Sequence, residues 1–231
     1  MSSPKSVYER ITEWFINIIM PVGVETLRLL PDGMVLGTAI LTALSSCKSY
    51  GVLLFTMVEL MLMQRVLASA IAGVSPIGAG TDALAEVCQP GFNFPNSMRI
   101  SLLETIGRPS AFPSPVMFFV SAILSYMIGC VKEFDREITA LGGDLSTRTT
   151  VGVVLSSFFA FIVLAFRYSY GCESFGTLLV SLFLGGILGL VLVFQNKALF
   201  ERSGVNILNL PMIQTAEERG KPMYVCAPAN T

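Results

Sequence analysis

The sequence predicts an all-α, polytopic membrane bundle of about four transmembrane helices, and three observations carry that expectation. Hydrophobic residues make up 53% of the 231 residues and charged residues only 13%, about half the charged share of a soluble domain. The mean hydropathy is +0.68. The apolar residues also fall in long blocks rather than at amphipathic spacing, so lipid is the expected solvent.

The first segment, residues 1–32, is polar and then amphipathic. Val7, Ile11, Trp14, Phe15, Ile18 and Ile19 share one helical face, opposite Lys5, Glu9, Arg10, Glu13 and Asn17. Such a helix either lies in the headgroup plane with Trp14 at the interface or packs on a soluble neighbour. No short apolar core with a small-residue cleavage site is present, so a cleaved signal peptide is not expected. Pro21 and Pro31-Asp32-Gly33 read as punctuation.

The bundle occupies residues 33–194. Spanning takes about 20 mostly apolar residues, with about 17 tolerable, and Val52–Val74, Pro115–Val131, Thr149–Phe166 and Gly176–Phe194 meet that length. A shorter run, Gly33–Ser46, is rich in Gly, Ala, Ser and Thr. It reads as a short fifth span (33–47), a re-entrant piece, or an extension of the next helix. Lys and Arg arbitrate, because short cytoplasmic loops carry the positive excess. Four spans put Lys5, Arg10, Arg28, Lys48, Lys132, Arg136, Arg148, Lys197, Arg202, Arg219 and Lys221 on one side and only Arg99, Arg108 and Arg167 on the other. A fifth crossing makes the split nearly even. Four spans with both termini cytoplasmic are therefore expected.

That arrangement leaves a long non-cytoplasmic loop, residues 75–114, punctuated by Pro76, Pro90, Pro95, Pro109 and Pro113, with a short helix expected over Asn96–Ile106. The tail, 195–231, is polar around an apolar patch at Val205–Pro211. The loop and the tail are the expected contact surfaces.

Small residues recur every fourth position in three spans: Ser121, Ser125 and Gly129; Gly152, Ser156 and Ala160; Ser181, Gly185 and Gly189. Such faces let helix backbones approach closely in lipid. Glu59, Gln64 and Arg65 are polar within the first confident span, and a central charge costs about 2.5–3.5 kcal/mol on insertion scales. They form either a proton or ion relay or structural pairs with other helices, and structural pairing is favoured because no third intramembrane acid accompanies them. Projection of this helix beyond the bilayer is the third reading. Of five cysteines, Cys88 and Cys172 alone fall in non-cytoplasmic loops, where disulfides persist, so a bridge between them is a hypothesis of the topology.

No histidine is present, which removes the commonest general base and metal ligand. No CxxC pair, P-loop, nucleophile elbow or HExxH helix occurs. No enzyme, metal or cofactor is expected. The net charge of −1 and the absence of a basic cluster among aromatics argue against nucleic acid.

The tail segments Asn206-Ile-Leu-Asn-Leu-Pro-Met-Ile213 and Glu218-Arg-Gly-Lys-Pro-Met-Tyr-Val-Cys226 resemble the ends of membrane proteins of large icosahedral double-stranded DNA viruses, such as the chlorella viruses. The resemblance implies a virion component in the membrane beneath the capsid, a minor capsid or anchoring protein that contacts shell proteins, and it supplies no catalytic motif. Physically, Leu208, Leu210, Pro211, Met212 and Ile213 form an apolar docking patch, and Pro222, Tyr224 and Val225 lie in an extended piece suited to adding to a sheet edge. The expected function is structural, in a larger assembly; the rival is a small-molecule or ion transporter built on Glu59 and Arg65.

Overall fold

The computed structural model describes residues 17, 20–45, 47–72, 86–93, 99–107, 112–140 and 145–208. In chain order these form α1 (Met20–Ser45), α2 (Lys48–Ala72), a 3-10 turn at Glu86–Cys88, β1 (Phe92–Asn93), β2 (Arg99–Ile100), α3 (Leu102–Ile106), α4 (Pro115–Glu133), α5 (Asp135–Ala140), α6 (Leu145–Ser169) and α7 (Phe175–Gly204). The fold is an all-α bundle. Among the described residues α1, α2, α4, α6 and α7 are long and apolar enough to cross a membrane.

The fifth helix that is long and apolar enough to cross is thus α1, and it is longer than the run Gly33–Ser46. The helix passes straight through Pro31-Asp32-Gly33, with Pro31 and Asp32 both buried. Proline removes one helical hydrogen bond, which a span tolerates where neighbouring elements take up the freed polar groups. Tertiary burial here overrides the punctuation that the tripeptide signals locally. The consequence concerns topology: the described chain starts at one end of the bundle and finishes at the other, whereas Lys and Arg favoured one side for both termini. The expected amphipathic helix of the first segment lies outside the described residues.

One end, the cap end, carries the loop elements from Glu86 to Ile106 and the hairpin between α6 and α7. Asn93 and Phe92 pair with Arg99 and Ile100 in a short antiparallel ladder. The expected helix over Asn96–Ile106 shrinks to α3, because β2 occupies Arg99–Ile100 and Ser101 caps the helix by accepting the Glu104 N–H at 3.1 Å. The opposite end, the far end, holds the α1–α2 link at Cys47, the α4–α5 corner and Val205–Leu208.

The core is built around α4. Val116 to Val120, Ala122, Ile123, Tyr126 and Cys130 are buried on this one helix, joined by Leu53, Met57, Leu60 and Met61 of α2 and Leu178, Leu192 and Val193 of α7. The α4–α7 pair runs parallel and almost without side chains between the backbones. A Cβ on Gly189 would stand 2.9 Å from the carbonyl carbon of Ala122, and one on Gly129 would stand 2.7 Å from Val193 Cγ2. A Cβ on Gly185 would collide with Ser121 Oγ and the Phe118 carbonyl oxygen. This is the close approach that small residues at four-residue spacing permit in lipid.

The third small-residue face behaves differently. Ala160 is buried, but a Cβ on Gly152 would meet nothing within 4 Å. Helix α6 buries Ala160, Val163, Leu164 and Phe166 toward the cap end, and exposes Val154, Leu155, Phe158 and Phe161.

Candidate functional site

The cap is held on the bundle by one disulfide and three polar anchors. Cys88 and Cys172 are joined, with Cα atoms 5.4 Å apart, across a sequence separation of 84 residues. Arg167, at the end of α6, forks onto Glu173 with both contacts at 2.6 Å and donates from Nη1 to the Cys88 carbonyl at 3.3 Å. Glu173 also accepts from Ser114 Oγ at 2.9 Å, and the Ser114 N–H donates to Ser181 Oγ at 2.7 Å. A two-bond Arg–carboxylate fork is strong and directional, and Arg167 is only 4% exposed. The hairpin, the cap loop and the start of α4 therefore move together.

The second anchor is Asp32 of α1, fully buried. It accepts from Ser101 Oγ at 2.8 Å and from the backbone N–H groups of Leu102 and Leu103 at 2.8 and 2.9 Å. One carboxylate thus takes up donors that the first turn of α3 cannot satisfy internally. The third anchor is Gln64 of α2, which donates to the Pro113 carbonyl at 3.1 Å. Gln64 thereby ties α2 to the segment just before α4, and Arg65, one residue further, is exposed while Ala68 is buried again.

Deeper in the bundle a polar seam joins α2, α4 and α7. Asn196 donates to Thr56 Oγ1 at 2.6 Å and to Tyr126 Oη at 3.0 Å, while Gln195 donates to Glu59 Oε1 at 2.6 Å. Thr56 in turn donates to the Val52 carbonyl. Asn196 Oδ1 and Glu59 Oε2 are buried without a hydrogen-bond partner among the described residues. Glu59 is therefore paired across helices with Gln195, about 7.5 Å inward of Gln64 along α2, and does not meet Arg65.

At the far end α7 breaks at Glu201, whose φ of 64° lies in the left-handed region. The turn aims Arg202 at the α4–α5 corner. Its guanidinium contacts Glu137 at 2.6 and 2.9 Å and Glu133 at 3.3 Å, and it stacks 4.9 Å from the Phe134 ring centroid. Lys197 reaches Glu133 at 2.7 Å. The helix was expected to end at Phe194; Gln195, Asn196 and Arg202 instead extend it to Gly204, because the bundle itself supplies their partners. The segment expected to dock accordingly begins at Val205, after the helix ends. Val205 and Asn206 are buried and Leu208 is exposed, while Leu210, Pro211, Ile213, Pro222, Tyr224 and Val225 lie outside the described residues.

Among the site residues read from sequence, the fold brings Ser121 and Gly129 against Gly185 and Val193, seats Ser181 on Ser114, and gathers Ser125 and Ser156 in one groove. It disperses Glu59, Gln64 and Arg65. Asp32, Thr56, Tyr126, Arg167, Glu173, Asn196 and Arg202 were missed. A carboxylate beside a helical proline, and amides at the presumed end of a span, were the signals available. No cluster of His, Cys, Asp and Glu suited to a metal ion occurs among the described residues. Set against known protein families, curated proteins and solved structures, the chain matches none.

Proposed function

We propose that this chain is a non-enzymatic structural membrane protein that anchors partner proteins to a bilayer through its cap and its C-terminal tail. The observation that supports this best is where the intramembrane polar groups go. Thr56, Glu59, Tyr126, Gln195 and Asn196 bond to one another across helix seams, and the large groove of the bundle is lined by none of them. A transport relay needs ionisable groups that face a water-filled path; these face other helices. The cap suits docking because it is tied to the bundle yet leaves Ile100 and Leu102 exposed, as are Tyr168, Tyr170 and Phe175 of the hairpin. Aromatic side chains at that level also favour the membrane interface. The tail resemblance supports a finer form of the proposal, in which the bilayer is the inner membrane of a large icosahedral virion and the partners are shell proteins.

The rival transport reading draws on one observation, the unpartnered Glu59 Oε2 and Asn196 Oδ1. Two experiments separate them. Photo-crosslinkers at Ile100 and Leu102 in native particles are expected to capture a specific neighbouring protein. Proteoliposomes of the purified chain are expected to show no proton, ion or solute flux above protein-free vesicles. Flux abolished by Glu59→Gln would overturn the structural reading.

A further inference from the structure

We propose that the groove between α4, α6 and α7 seats one acyl chain of an anionic phospholipid whose phosphate rests on Lys132 at the far end. The groove has a volume of about 460 Å³, within the roughly 300–1,000 Å³ range of small-molecule sites. Its walls are Ser125 and Ile128 of α4, Ser156 and Phe161 of α6, and Phe183 and Gly186 of α7. It exists because α6 meets α4 near the cap end through Ala160, Val163 and Leu164 and stands off toward the far end, where Gly152 faces open space.

The small side chains Ser125, Ser156 and Gly186 leave an apolar slot between the three helices that admits a single extended chain. Length agrees. Ser121, Ser125, Ile128 and Lys132 follow one face of α4 at spacings of four, three and four residues. From Ser121 to Lys132 they cover about 16 Å, close to half of the roughly 30 Å hydrocarbon core. A lipid of the far-end leaflet with its headgroup at Lys132 therefore reaches the bottom of the groove.

Charge selects the headgroup. Lys132 is exposed, and no ion pair or hydrogen bond to the described residues engages its side chain. The adjacent acid, Glu133, is already bound by Lys197 and Arg202, so it leaves the Lys132 ammonium uncompensated. Lys197 follows Gly186 and Leu190 on the same face of α7 and keeps its side chain 44% exposed. The mouth of an apolar groove thus carries a free cation at headgroup level.

The test places a single tryptophan at the rim, in a Trp14→Phe, Phe183→Trp chain, and follows quenching by phosphatidylglycerol or phosphatidylcholine carrying brominated acyl chains in mixed micelles. Phosphatidylglycerol is expected to half-quench at about a fivefold lower mole fraction, the preference that one lysine near an anionic lipid confers. Lys132→Gln is expected to erase that preference, and Ser156→Phe, which fills the groove, to remove saturable quenching while the helical circular dichroism is retained. Equal quenching by the two lipids, an unchanged preference in Lys132→Gln, or undiminished quenching in Ser156→Phe would each overturn the assignment. So would dimers crosslinked through position 183, which would mean that a second copy covers the groove.

Discussion

Replacing glycine by alanine at two positions separates packing from propensity. At Gly189 the added Cβ stands 2.9 Å from the Ala122 carbonyl carbon and 3.0 Å from its Cα, with the carbonyl oxygen nearer still. The obstruction is backbone, so no rotamer relieves it, and α4 and α7 must part by roughly 1 Å, enough to forfeit a quarter to a half of each contact's attraction. Overpacking of this kind costs about 1–3 kcal/mol, and backbone against backbone belongs at the upper end. Helix propensity returns about 0.5–1 kcal/mol for Gly→Ala, leaving a net loss of about 2 kcal/mol. At Gly152 the same Cβ meets nothing within 4 Å, so only the propensity gain remains, about 0.5–1 kcal/mol of stabilisation. Unfolding by steric trapping, or by SDS titration followed by circular dichroism, should show the two variants moving in opposite directions and separated by about 3 kcal/mol. If both shift stability equally, within about 0.5 kcal/mol, the close α4–α7 approach is wrong.

Other perturbations reach the remaining contacts. Arg202→Ala strands the buried Glu137 carboxylate and is expected to cost about 3–5 kcal/mol; Glu137→Gln in the same chain should restore part of that loss, read by thermal melting in detergent. Asp32→Leu leaves Ser101 Oγ and two backbone N–H groups of α3 without their acceptor, each loss worth about 1–3 kcal/mol; limited proteolysis should cut the cap faster while the spans stay protected. Reducing Cys88–Cys172 opens a loop whose 84-residue separation corresponds to about 4–5 kcal/mol of chain entropy, so reductant should lower the melting temperature and a double serine variant should match the reduced protein. Asn196→Leu removes two interhelical bonds at about 0.6–2 kcal/mol each, read by the same thermal melting in detergent.

Span identity was legible where hydropathy alone decides it. Pro115 to Val131 needed only length and apolarity, and the glycine and serine spacing of α4 and α7 carries the physics of their contact, since only atoms beyond Cα could keep the backbones apart. The rest depended on partners far along the chain. Asp32 looks like a turn residue until Ser101 and the start of α3, some seventy positions away, give its carboxylate donors. Gln195 and Asn196 look like the polar exit of a span until Glu59, Thr56 and Tyr126 absorb them. A polar side chain marks a boundary only when no other helix can satisfy it, and a single sequence does not reveal which helices are neighbours.

That rule also orders the bundle mechanically. Polar ties join α4 and α7, with the segments that flank them, at three depths: Ser114 to Ser181 and Glu173 at the cap end, Asn196 to Tyr126 in the middle, Arg202 to Glu133 and Glu137 at the far end. The α4–α7 pair is thereby fixed at three depths in addition to its glycine contact, and forms the spine. Helix α6 is tied at the cap end by Arg167, while its far half exposes Val151, Val153, Val154 and Leu155. Opening of the bundle should therefore begin at the far end of α6, where hydrogen exchange in Thr150 to Leu155 should be fastest among the spans and slow on occupancy of the groove. On the proposed structural role, load applied at the cap would pass through Arg167, Glu173 and Ser114 directly into α4 and α7.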